Sequence, residues 1–231
     1  MAQWSIASLI KTGFSASNII LITDKRSNID KINKNVQFKI VKNNLSKHVK
    51  HWFYKPLAYS EGLKDAIPNS FVIMSDIDVL FFENPVDFFL KQETDIWSRG
   101  RERFLRESRL SKLKPNEINP SWDNFKDLSG YMGRTRAYLL SKYGPKVLPE
   151  FGLYSDLVSI SSAVYTKLIS TWRKMYDDVI TTPYFQGDQQ VLCSAMRYLG
   201  LSYSSYDFNG VKHYQSKEKK SMILDAKKLG L

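Results

Sequence analysis

The chain is short of several things that would make a function class easy to assign. Its one cysteine, Cys193, among 231 residues excludes an internal disulfide and a cysteine-rich zinc site, and suits a reducing compartment. No apolar run approaches the roughly 18 residues that a membrane span requires. The opening "MAQWSIASLI" has no early Lys or Arg and no cleavage pattern, so no signal peptide is expected and a cytoplasmic protein is. Eight prolines and 11 glycines are scattered and mark no long linker, and there is no internal repeat or low-complexity tract. Acid is scarce relative to base: 34 Lys and Arg face 23 Asp and Glu, a net charge of +11. That excess favours an anionic partner such as nucleic acid, a phosphorylated ligand or an acidic membrane surface, with plain solubility as the competing account.

What is present is enough for a sizeable core. At 43% hydrophobic over 231 residues, a single large domain is the simplest expectation. Helical spacing runs over 3–12, and "NIILIT" at 18–23 is a β-branched run expected as a buried strand. "VQFKIV" at 36–41 alternates like an exposed edge strand, a helix is expected over about 56–66, and "SFVIM" at 70–74 is the next strand. "NPVDFFLK" is a short helix opened by Asn84 and Pro85, and "TDIWS" at 94–98 another strand. Residues 99–127 break the rhythm as a long irregular excursion, with Arg99, Arg101, Arg103, Arg106 and Arg109 forming a basic stripe that is most simply a solvated face. Beyond it come a strand at 156–161, an amphipathic helix at 163–178 with Val164, Leu168, Trp172 and Met175 inward, a helix at 188–200 closed by Gly200, a strand at 202–208 and a basic tail. Alternation of buried strands and helices predicts an α/β fold with a mostly parallel central sheet flanked by helices.

"NSFVIMSDIDVLFFENP" at 69–85 ends an apolar run on Asp76 and Asp78. In a parallel sheet the carboxyl ends of strands are where ligands bind, and strand alternation would turn both carboxylates to one side. There they could share a hard cation such as Mg²⁺ or Mn²⁺, which would offset their mutual repulsion. The plain alternative has one aspartate capping a turn and the other paired with a surface lysine. The neighbouring Phe81, Phe82, Phe88 and Phe89 are expected to fill core. A phosphatase of the haloacid dehalogenase type also places DxD after a strand, but its pattern continues with a small residue and Thr where this chain has "VLFF".

The stretch "SDIDVLFFENPVDFF" resembles that of glycogenin-like nucleotide-sugar glycosyltransferases of the GT-A fold. In the same order, "WFYKPLAYSEGL" resembles their helix carrying a Lys or Arg to the donor, "YFQGDQQVL" their acidic helix start at the sugar pocket, and "FNGVKHYQSKEKK" their late strand with a histidine ligand and a following basic residue. The resemblance implies one GT-A-like, Rossmann-like domain over 1–231, with a nucleotide-binding half at 1–98, an acceptor and sugar half at 128–215 and a basic tail at 216–231. It departs from the family at its start, where the chain opens on a helix and the usual first strand that holds the base has no counterpart.

Under this resemblance Asp78 is the main metal ligand, Asp76 a second ligand or a partner of the donor ribose, and His213 the third protein ligand for Mn²⁺ or Mg²⁺. Lys55, Lys217 and Lys219 are expected to neutralise phosphate oxygens, Asp188 to hold sugar hydroxyls, and Gln189 to face the anomeric centre. Asp156 is the candidate base if the reaction inverts, although the motif order leans toward retention. The expected activity is transfer of a hexosyl or deoxyhexosyl group from a UDP-sugar to a glycan, protein or small acceptor. A nucleic-acid-binding basic module is the alternative from a different class, but no binding motif supports it and no nucleic-acid partner is expected. Peripheral membrane contact is left open.

Overall fold

The computed structural model describes residues 1–23, 32–41, 55–63, 71–99, 133–147, 153, 156–185, 187–206 and 208–231. The expected excursion at 99–127, apart from Arg99, lies outside these residues, as do Arg101, Arg103, Arg106 and Arg109. In chain order the elements are α1 (Ala2–Lys11), β1 (Ile20–Thr23), β2 (Gln37–Ile40), α2 (Lys55–Gly62), β3 (Phe71–Ser75), β4 (Val79–Phe81), α3 (Pro85–Phe89) and β5 (Ile96–Arg99). After these come α4 (Gly133–Tyr143), β6 (Leu157–Ser161), α5 (Ser162–Ile180), α6 (Asp188–Leu199), β7 (Tyr203–Tyr206), β8 (Val211–His213) and α7 (Lys219–Lys228).

The α/β class is as expected, but the sheet is not mostly parallel. The main sheet has the order β3-β6-β5-β7, and β6 runs antiparallel to both of its neighbours; only β5 and β7 pair in parallel. Two further pairs stand apart from it, β1 with β2 in parallel and β4 with β8 antiparallel. The expectation failed because a continuous apolar run reports that a strand is covered on both faces, not which way it runs. A mixed sheet under helices produces the same run.

Both faces of this sheet are covered. On one side Met74, Ile96, Val158 and Ile160 meet Leu168, Trp172 and Met175 of α5 and Val191, Leu192 and Ala195 of α6. On the other, Trp97 and Leu157 pack with Val79, Phe81, Phe89, Phe208 and Val211. The split follows the two-residue period of strands, so Ile96 and Trp97 or Leu157 and Val158 go to opposite cores. Phe88 stacks on Trp97 at 4.6 Å and on Phe208 at 4.7 Å, while Phe82 is 43% exposed and fills no core. The strand β1 is half-buried along its length, less covered than its apolar sequence suggests.

The helix boundaries obey local rules. Asn84 accepts the Val86 amide at 3.0 Å as the cap of α3, and Pro85 takes the first helical position. Gly200, with φ 67, ends α6 in the left-handed region. Among the described residues no helix is long and apolar enough to cross a membrane.

Cys193 lies within the larger core, where its thiol accepts the Leu153 amide at 3.4 Å and burial pushes its pKa up to about 11. At pH 8 only about one thiol in a thousand is then ionised. Iodoacetamide should leave Cys193 unlabelled in the native protein and label it fully in denaturing guanidinium. Rapid labelling of the folded protein, read by mass spectrometry, would contradict this core.

Candidate functional site

Strand β3 ends at Ser75 and releases Asp76 beside Asp156. The antiparallel register opposes Ser75 to Leu157, and the Asp76 amide donates to the Asp156 carbonyl at 2.9 Å. The segment from Asp76 to Asp78 is a turn, so the turn and not continued strand alternation brings the two carboxylates round, with Ile77 between them 53% exposed. Beyond the turn, β4 pairs with β8 in a register that opposes Val79 to His213, and the Tyr214 amide donates to the Asp78 carbonyl at 2.8 Å. His213 Nε2 therefore lies 3.5 Å from Asp78 Oδ1. One ligand atom each from Asp76, Asp78 and His213 falls within 4.8 Å of the others. Two carboxylates and an imidazole, all half-buried, are a donor set suited to Mn²⁺.

Lys55 opens α2. That helix comes close to β1 at Gly62, where an added Cβ would stand 2.8 Å from Ile22 Cδ1. The Lys55 ammonium is 2.6 Å from Asp76 Oδ1 and 4.0 Å from Asp188 Oδ2, so it bridges two acids from different parts of the chain. Asp188 is the first residue of α6. The cap position belongs to Gly187, so the carboxylate does not serve as the helix N-cap. The Trp172 indole donates to the Asp188 carbonyl at 3.3 Å and ties this helix start to α5.

Burial raises the pKa of Asp76 and Asp188 against the pull of Lys55. Burial also opposes the Lys55 ammonium, but Asp188 and Asp76 outweigh it and its pKa rises too. Lys55 is held as the ammonium by the two carboxylates beside it, Asp76 at 2.6 Å and Asp188 at 4.0 Å. The hydrogen bond to Asp78 raises the pKa of His213 against its burial, with Asp156 and Asp76 adding to the rise.

Asp156 has a partner that sequence reasoning missed. Arg99, at the end of β5, donates to Asp156 Oδ2 from Nη2 at 2.7 Å and from Nε at 3.2 Å. The basic stripe obscured this, since in sequence Arg99 is indistinguishable from the arginines that follow it. A strand-end position, directly after an apolar run, was the available signal.

The three residues expected around the sugar share one property. Asp156 Oδ1, Asp188 Oδ2 and Gln189 Nε2 are buried with no hydrogen-bond partner among the described residues. Unmatched polar atoms of this kind are costly unless a ligand or water completes them. Lys217, in a 3₁₀ turn at Ser216–Glu218, and Lys219, at the start of α7, are exposed and make no ion pair with the acids, and Lys219 lies near the Met1 amino group.

Replacing Arg99 by Met should leave a buried carboxylate unpaired and lower stability by about 3 kcal/mol in urea denaturation. Asp156→Asn, which removes the charge itself, should cost less. Equal and small losses for both would mean that the ion pair does not hold this strand end together.

Comparison with protein-family models finds no match, and comparison with curated proteins finds none either, so the geometry at the end of β3 carries the functional reading.

Proposed function

We propose that the chain is a metal-dependent glycosyltransferase of the nucleotide-sugar type, which moves a hexosyl or deoxyhexosyl group from a UDP-sugar to a glycan, protein or small acceptor with retention of configuration. The observation that carries this reading is the convergence of Asp76, Asp78 and His213 within 4.8 Å at the end of a strand. Asp78 and His213 would hold Mn²⁺ or Mg²⁺, with Asp76 as a further ligand or as a partner of the ribose. A cation held there would offset the negative charge that grows on the diphosphate leaving group.

The chain's own residues fit the other roles. Lys55 stands where it can exchange Asp76 for a phosphate oxygen once the acid has another counter-charge. The unpartnered atoms of Asp188 and Gln189 supply an acceptor and a donor for sugar hydroxyls at the start of α6. Lys217 and Lys219, two and four residues past Gln215 and in no described contact with the acids, would have to close over the diphosphate after it binds. Retention is favoured because the Arg99 pair engages Asp156, the carboxylate best placed to act as a base.

Isothermal calorimetry with UDP tests the assignment. The wild type should bind UDP in the presence of Mn²⁺ and at least tenfold more weakly without it, and Asp78→Ala should lose the Mn²⁺ dependence. Absence of UDP binding by the wild type, or equal binding by Asp78→Ala, would sink the assignment.

A further inference from the structure

The last helix presents two unlike faces. Met222 and Ala226 of α7 are fully buried against Leu80 and Tyr214, with Trp4 of α1 packed alongside. Opposite them, Lys220, Leu224, Lys227 and Lys228 follow the i, i+4, i+7, i+8 spacing of a single helical stripe, and all four are exposed. Leu224 is 58% exposed, a large apolar side chain set among lysines.

The charge on this end of the molecule is nearly uncompensated. Residues 211–231 contain six lysines and two acids, Glu218 and Asp225. Asp225 is engaged by Lys212 at 2.7 Å, Lys228 at 3.0 Å and the Tyr214 hydroxyl at 2.8 Å. Glu218 accepts the Gln215 amide at 2.8 Å in a capping box. Lys217, Lys219, Lys220 and Lys227 make no ion pair among the described residues.

We propose that this outward face of α7 docks on a membrane surface rich in anionic phospholipid. Lysines whose ammonium groups reach headgroup phosphates, around a leucine that enters the acyl boundary, are the arrangement by which an amphipathic helix lies in a membrane interface. Nucleic acid would use the same charge but has no place for the central leucine, and the helix face offers no aromatic stacking platform. The chain leads from His213 through Tyr214, Gln215 and the 3₁₀ turn at Ser216–Glu218 into this element. Resting on the glycosyltransferase reading, the acceptor is then a lipid-borne glycan or lipid headgroup.

Vesicle cosedimentation decides the matter. The full chain should pellet with vesicles of equal phosphatidylglycerol and phosphatidylcholine and stay in solution with phosphatidylcholine alone, and binding should weaken as salt rises. Lys220→Gln with Lys227→Gln should lower the bound fraction about tenfold or more. Leu224→Gln alone should lower it as well, with circular dichroism unchanged in both variants. No partitioning, or partitioning that survives these substitutions, would overturn the proposal. So would capture of a DNA duplex at physiological salt without vesicle binding. UDP titration of the same variants without lipid keeps the two readings apart: loss of UDP binding in the wild type would remove the acceptor assignment and leave the vesicle result standing on its own.

Discussion

Among the described residues, the end of β3 gathers four carboxylates against two permanent cations, and the rest of the arrangement depends on that crowding. Asp76, Asp78, Asp156 and Asp188 meet there, and the described Lys and Arg side chains paired with them are Lys55 and Arg99. The acids come from three places in the chain, the turn after β3, the start of β6 and the start of α6, and backbone contacts help to hold them there. The Asp76 amide is bound to Asp156, the Asp78 carbonyl to Tyr214, and the Asp188 carbonyl to Trp172. Carboxylates tethered in this way cannot move apart to lower their repulsion. What remains is to raise their pKa values, as burial does for Asp76 and Asp188, or to receive a further cation.

Two cores give this cluster its rigidity. The helices α5 and α6 pack on one face of the main sheet, and through Trp172 they position the first turn of α6. The aromatic group of Phe88, Phe89, Trp97 and Phe208 packs on the other, beneath the β4–β8 pair that carries His213 to Asp78. A packed interior of this kind yields little, so the donor atoms keep their spacing without a ligand. That is the condition for binding a cation without a large ordering cost.

The helices and most strands were legible because their signals are local. Asn84 with Pro85 opened a helix, Gly200 closed one, and the spacing of Leu168, Trp172 and Met175 identified an inward face. Strand direction was not legible, since it depends on how distant segments pair, and β6 reversed the expected sheet. β4 gives no period because it is three residues long, and α4 follows the polar segment without a clear apolar stripe of its own. For the site, the sequence order of Lys55, Asp76, Asp78, Asp188 and His213 anticipated residues that the fold does bring together. Arg99 was missed because an ion pair across 57 residues leaves no trace in local pattern.

That missed pair bears most on the proposed chemistry. An inverting transfer needs a general base with an oxygen free to reach the acceptor hydroxyl and a proton affinity suited to taking it. Asp156 has one oxygen bound twice by the Arg99 guanidinium, and its other oxygen is buried. Asp188, its pKa raised by burial, shares Lys55 with Asp76. Were a cation to offset Asp76, Lys55 would be left to the donor phosphates and the unpartnered oxygen of Asp188 to the sugar hydroxyls. The oxygen of Asp156 that Arg99 leaves without a partner is buried, so under the proposed reading the leaving diphosphate would accept the hydroxyl proton. Front-side delivery of that kind yields retention, so the charge balance at the end of β3 and the proposed stereochemistry have one physical origin.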